Sequence, residues 1–201
     1  MEINVKKVSK SFKKKNIIKN LSFTLGCPGL VCFKGESGSG KTTVLNMISG
    51  LLKTDEGTII IDGKEIKDIK NLRKDYITYL PCGNSLLESL NVIDNIKLAS
   101  GISEEEAIKL LSRLNLSSRM HYLFPREIST GEYKRVCFAR ALAMNTPFYL
   151  LDEPTSNLDE ESAKILIKEI NELSKKKGVI IATHDTRLLK KGKNICLKEK
   201  W

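Results

Sequence analysis

Gly35-Glu36-Ser37-Gly38-Ser39-Gly40-Lys41-Thr42-Thr43 is the stretch that decides the fold. The apolar run Leu30-Val31-Cys32-Phe33 precedes it, and Val44-Leu45-Asn46-Met47-Ile48 comes after it with helical periodicity. Strand, glycine loop, helix is the order a phosphate-binding loop requires. Glycines at 35, 38 and 40 open backbone angles closed to other residues, so successive N–H groups can turn inward on an anion. The helix beginning near Lys41 adds unpaired N–H groups and the positive end of its dipole. In this pattern Lys41 reaches the β- and γ-phosphates, the Thr42 hydroxyl suits Mg²⁺, and Thr43 adds a hydroxyl toward the α-phosphate.

Working outward, residues 2 to 9 alternate as a strand, residues 11 to 16 read as a turn, and 21 to 25 form a second strand. Asp55-Glu56-Gly57 and Asp62-Gly63 bracket Thr58-Ile59-Ile60-Ile61 as a hairpin, so the early strands read as antiparallel and separate from the later pattern. Ile77 to Leu80 is a further strand. A helical stretch then spans about 91 to 100, and a capping box at Ser103 and Glu106 opens Ala107, Leu110, Leu111 and Leu114 at helical spacing. Residues 84 to about 128 thus read as a helical insertion. A helix from Thr130 or Gly131 to Asn145 leads to the buried strand Phe148-Tyr149-Leu150-Leu151. The next helix, with Asp159, Glu160 and Glu161 at its start, buries Ala163, Leu166, Ile167 and Ile170 and stops at Gly178. Val179 to Thr183 is a strand, and a short one closes the chain near 194 to 197.

Three strand tips carry the polar groups: the glycine loop, Asp152-Glu153, and His184. In an open parallel sheet, ligands collect at the carboxyl ends of strands. Asp152, ending an apolar strand, is placed to hold Mg²⁺, and Glu153 to accept a proton from an attacking water.

The net charge is +10, and the positive runs at 13–15, 175–177 and 190–193 are scattered and without interleaved aromatics, so nucleic acid is not an expected partner. Cysteines at 27, 32, 82, 137 and 196 are odd in number and form no CxxC pair, which fits reduced thiols rather than disulfides or zinc. No apolar run approaches a bilayer span, and the opening residues lack an apolar signal core, so a cytoplasmic location is expected.

The motifs in combination resemble one family. Gly35 to Thr43, Phe148 to Glu153, Pro154-Thr155-Ser156-Asn157-Leu158-Asp159, and Ala182-Thr183-His184-Asp185 look like the nucleotide-binding subunit of an ABC transporter, and residues 128 to 142 resemble that family's signature and its helix. The likeness runs from Phe12 to about Asp185. It implies an α/β P-loop NTPase fold over residues 1–201 as one ATPase domain, with a mostly parallel core sheet, an N-terminal antiparallel β subdomain and the helical insertion. It implies ATP and Mg²⁺ as cofactors. Phe12 would stack on adenine. Ser129, Gly131 and Glu132 would face the γ-phosphate held by a second copy. Asp159 would link the two sites, and His184 would contact the γ-phosphate. The partners implied are a homodimer or a paralogous ATPase, and separate transmembrane permease subunits on whose cytoplasmic face the chain would sit. The overall motif style resembles compact export subunits. A soluble ABC-type ATPase acting on DNA, ribosomes or an assembly scaffold is the alternative. Two departures stand out. Cys82 stands where the family places glutamine, and a thiol suits Mg²⁺ poorly, so water, or the Asn84 amide by a shifted register, would fill that position. Thr130 stands where the signature's first glycine is usual, with Glu132 where glutamine is common.

Overall fold

The computed structural model describes residues 1–13, 15–83, 85–190 and 192–197. Asn84 and two lysines of the basic runs, Lys14 and Lys191, lie outside the described residues. The chain divides into two compact units: residues 1–79, 146–153 and 173–201, and residues 80–145 and 154–172.

The first unit holds two sheets. β1 (Glu2–Phe12), β2 (Lys15–Gly26), β4 (Glu56–Ile61) and β5 (Lys64–Glu65) form an antiparallel sheet in the order β2-β1-β4-β5. β3 (Gly29–Lys34), β6 (Ile77–Leu80), β7 (Phe148–Asp152), β8 (Gly178–Ala182) and β9 (Lys193–Cys196) form the other, in the order β6-β7-β8-β3-β9. The β7–β8, β8–β3 and β3–β9 pairs are all parallel. All five residues of β7 and of β8 are buried, as expected of parallel strands covered on both faces. α1 (Lys41–Ile48) packs on β7 and β8 and turns Val44, Leu45, Met47 and Ile48 into the core. It ends at Ser49, and Gly50 with φ +73° turns the chain away. The short helices α2 (Leu72–Asp75) and α7 (Thr186–Leu189) complete this unit. Cys32 is fully buried, and that burial pushes its thiol up to about 11, so it serves as an inert apolar residue.

The second unit is helical. α3 (Val92–Ser100), α4 (Glu104–Arg113) and α5 (Thr130–Ala143) pack on one another. Asn91 caps α3, Ser103 and Glu106 close the expected box on α4, and Ala107, Leu111 and Leu114 are fully buried. α6 (Glu160–Ser174) carries Glu169, buried against Arg113 of α4 at 2.5 Å.

The α/β fold with its antiparallel N-terminal sheet and inserted helices is as the sequence implies, but several boundaries move. The first hairpin is longer: β1 runs to Phe12 and β2 starts at Lys15, where a turn over 11 to 16 was expected. Register shifts after Val5, Val8 and Lys10 and positive φ at Lys7 and Asn20 break the alternation while the pairing continues, so the period-2 signal fades before the strand does. On α6 the buried stripe is Ala163, Leu166, Ile170 and Leu173, with Ile167 only half-buried. Gly178 is not a helix stop but the first residue of β8, where Phe148 leaves no room for a side chain.

Candidate functional site

β3 delivers the chain into the glycine loop. Gly40, with φ +96°, is the N-cap of α1, and a Cβ there would also meet Ile18 and Ile17 of β2 at 2.8 and 2.9 Å. Only glycine satisfies both the backbone angle and the approach of the hairpin. No side chain caps α1, so its first-turn N–H groups face the loop. Lys41 is 7% exposed; its ammonium donates to the carbonyls of Gly35 at 2.6 Å and Glu36 at 2.9 Å and lies 3.6 Å from a Glu153 oxygen. Among the described residues the buried Ser39 hydroxyl has no hydrogen-bond partner. A buried ammonium held by two carbonyls and a carboxylate, beside a helix start that no side chain caps among the described residues, is a site prepared for an anion.

β8 lies between β7 and β3 in the sheet, so the expected three tips stand on consecutive strands. Thr42 Oγ1 donates to Asp152 Oδ2 at 2.8 Å. Burial raises the Asp152 carboxyl above its usual range, opposed by the Thr42 hydrogen bond and the Lys41 charge and reinforced by the Glu153 charge. Its other oxygen, Oδ1, is buried and has no hydrogen-bond partner among the described residues. An orphaned carboxylate oxygen beside a threonine hydroxyl is a hard oxygen donor pair, the set Mg²⁺ prefers, so the residues fit that ion.

Glu153 sits in the left-handed region at φ +46°, held by its N–H to Ala182 O at 2.8 Å. Its Oε2 lies 3.0 Å from His184 Nδ1, and the His184 N–H points at the same oxygen at 3.4 Å. Glu153 therefore bridges the buried Lys41 and the largely exposed His184. Positive φ at a non-glycine residue stores strain, a common feature of reacting centres. Phe12, 46% exposed, ends β1 with the Lys10 ammonium 5.6 Å from its ring centroid. Lys10 pairs with Ile18, the residue that abuts Gly40, so Phe12 stands two residues along the strand from the glycine loop.

A second group lies in the helical unit. Ser129 is the N-cap of α5, its hydroxyl accepting from the Glu132 N–H at 3.3 Å. The Glu132 carboxylate answers, accepting from the Ser129 N–H at 2.9 Å and its hydroxyl at 2.8 Å. Those bonds hold the Glu132 carboxyl below its usual range. The spacing of Ser129 and Glu132 is that of a capping box, a signal the sequence carries but which its reading as a departure from the signature obscured. Asp159 accepts from the Ser162 N–H at 2.8 Å at the start of α6. A Cβ at Gly131 would meet Ser162 Oγ at 2.6 Å and Asp159 Oδ2 at 3.2 Å, whereas Thr130 is exposed. The glycine is demanded at 131 and not at 130. Cys82 is exposed, with its sulfur 3.8 Å from the Ser156 hydroxyl. Tyr133, not anticipated, accepts the N–H groups of Ser85 and Leu86, each at 3.1 Å.

The sequence model of the family described as ABC transporter matches residues 18–156. The chain belongs to the ABC transporter family. As a member it is an ATPase, with ATP and Mg²⁺ as its cofactors. Over 94% of its length it is 34% identical to the methionine import ATP-binding protein MetN of Clostridium tetani, of which it spans 63%. It is 35% identical to the lipoprotein-releasing system ATP-binding protein LolD of Hydrogenovibrio crunogenus, covering 87% of this chain and 82% of that one. The dimeric structure of MJ0796, a bacterial ABC transporter cassette, superposes with a TM-score of 0.89 at 30% identity, over 98% of this chain and 94% of that one. A further dimeric structure of MJ0796, in a post-hydrolysis state bound to ADP and Pi, gives 0.88 at 29% identity, with the same coverage.

Proposed function

We propose that this ABC-family ATPase works as a pair of copies arranged head to tail, each a single ATPase domain, with two MgATP held between them. The observation that carries the reading is the meeting of Lys41, Thr42, Asp152, Glu153 and His184 at the tips of adjacent strands, while Ser129, Gly131 and Asp159 gather in the other unit. Residues 35 to 43 wrap the phosphates with backbone N–H groups, and Lys41 exchanges its carbonyls and Glu153 for phosphate oxygens. Thr42 and Asp152 would hold Mg²⁺, which would supply neutralisation of the phosphate charge. Released from Lys41, the Glu153 carboxylate takes the proton of the water that attacks the γ-phosphorus, and His184 orients Glu153 and reaches the γ-phosphate. Phe12 stacks on the adenine. Ser129 and the Gly131 N–H, at the N-terminus of α5, complete the partner copy's site, and Asp159 joins the two.

Among the described residues no helix is long and apolar enough to cross a membrane. Membership of a transporter family supports separate transmembrane subunits as the driven partners, which we take the chain to meet from the cytoplasmic face. We read the direction of transport as outward. The lipoprotein-releasing relative supports that direction; the methionine import relative, of similar identity, supports the inward one. Substrate flux in vesicles with the co-purifying permease separates them.

Glu153→Gln keeps the site's shape but removes the base. It is expected to bind ATP and accumulate as a dimer in sedimentation, with turnover lost. In the unmodified chain, ATPase activity per molecule should rise with protein concentration; a flat rate across a wide dilution range would argue for a self-sufficient single copy.

A further inference from the structure

Past Ser9 the end of β1 loses one of its two neighbours. Pairing with β4 stops at Ser9 and Glu56, and only β2 continues alongside, through Ser11 with Asn16 and Phe12 with Lys15. A strand end held on one side leaves its outward N–H groups to water unless a side chain takes them. Asp55, just before β4, does so. Its own N–H donates to Ser9 O at 3.0 Å. Its Oδ2 accepts the Ser11 N–H at 2.7 Å, standing in for the carbonyl a longer β4 would supply. Its Oδ1 accepts from the Lys10 ammonium at 2.6 Å, and that ammonium lies 5.6 Å from the Phe12 ring centroid. The carboxylate thus fixes the backbone on the N-terminal side of Phe12 and the cation that neighbours its ring. Phe12 itself remains 46% exposed, a large apolar face offered to solvent at the end of a fixed strand.

We propose that Asp55 is a positioning residue for nucleotide-base binding: through Ser11 and Lys10 it holds Phe12 in the orientation that receives the adenine ring. The inference rests on the reading of Phe12 as the base platform. Asp55 touches neither phosphate-binding residues nor the Asp152–Glu153–His184 group in these interactions, so its influence falls on the base and not on the triphosphate. A stacked base contributes about 1–3 kcal/mol, about 5- to 150-fold in affinity. A loosened platform forfeits part of that.

The test compares two ligands on the full chain: MgATP, and inorganic tripolyphosphate with Mg²⁺, which has the phosphates but no base. Phe12→Ala should weaken MgATP binding by about tenfold or more and leave tripolyphosphate unchanged. Asp55→Ala should show the same pattern at about three- to tenfold, acting on KM more than kcat. Asp55→Asn keeps an acceptor for the Ser11 N–H and should fall between Asp55→Ala and the unmodified chain, which guards against simple misfolding. If Phe12→Ala weakens MgATP but both Asp55 variants bind it as the unmodified chain does, the positioning role is overturned and the base platform stands. If Phe12→Ala has no effect, the platform reading fails and takes this inference with it. If the Asp55 variants weaken tripolyphosphate as much as MgATP, Asp55 supports the whole loop and the base-specific role is overturned.

Discussion

Gly131→Ala isolates the contact between the start of α5 and the start of α6. The added Cβ would stand 2.6 Å from Ser162 Oγ, 3.2 Å from Asp159 Oδ2 and 3.3 Å from Ser162 Cβ. To reach ordinary contact the Ser162 hydroxyl must retreat by about 0.8 Å, although it is buried and accepts a hydrogen bond from the Arg135 guanidinium. Overpacking of this kind costs about 1–3 kcal/mol. Replacing glycine in a helix returns at most about 1 kcal/mol. The net effect then runs from about zero to a loss of about 2 kcal/mol, a fall in Tm of up to about 8 °C for a chain of this size. Removing the obstructing hydroxyl should change the sign: in a Ser162→Ala background the same Gly131→Ala substitution should be neutral or stabilising by up to about 1 kcal/mol. The assay is a double-mutant cycle by thermal or urea unfolding, with a coupling energy of about 1–3 kcal/mol expected, the overpacking cost itself. Effects that add to within about 0.5 kcal/mol would refute the packing argument. Thr130→Gly, at the exposed neighbouring position, should lack this coupling.

Asp152→Asn removes a buried carboxylate whose charged form burial disfavours, so the nucleotide-free chain should melt higher while Mg²⁺-dependent turnover disappears; a lower Tm would contradict the account of its raised pKa. Glu132→Gln weakens a cap by about 0.5–1 kcal/mol, yet it removes a negative charge from the helix end proposed to face a triphosphate. It should therefore lower Tm slightly and tighten the ATP-dependent dimer, read by sedimentation in the Glu153→Gln background; a weaker dimer would count against the arrangement. Glu132 and Asp159 both have depressed folded pKa values, through bonds from Ser129 and Ser162 respectively. Their stabilisation is fully present above the ordinary carboxyl range and is lost as pH falls through the lower folded values, so acid unfolding of Glu132→Gln should show a shallower loss between about pH 5 and 3. Arg113→Ala leaves Glu169 buried without its partner and should cost about 1–3 kcal/mol, discounted because Arg113 is half exposed; an unchanged urea midpoint would remove that pair from the stabilising contacts.

Local rules carried much of the fold in the sequence. The glycine loop sits between a strand and a helix because no other order satisfies its backbone, and the capping box at Ser103 and Glu106 is legible from residue spacing alone. The parallel strands read clearly because burial on both faces makes them continuously apolar. The first hairpin read poorly for the opposite reason: its bulges detach side-chain alternation from backbone pairing. Of the candidate site, Lys41, Thr42, Asp152, Glu153 and His184 were legible as strand-tip residues. Their connections were not, since the Glu153 bridge from Lys41 to His184 depends on a positive φ that no residue preference announces. The grip of Asp55 on Ser11 and Lys10 crosses more than forty residues of sequence and is visible only in three dimensions.

The central claim is that each reaction centre takes its halves from two chains, and mixing two inactive variants addresses it most directly. Lys41→Ala spoils the phosphate-binding loop, and Gly131→Glu spoils the signature. If the halves come from different chains, an equal mixture contains pairs with one site assembled entirely from intact residues, and ATPase activity should return to about a quarter of the unmodified level. A mixture as inactive as either variant alone, under conditions where the two are shown to associate, would contradict it.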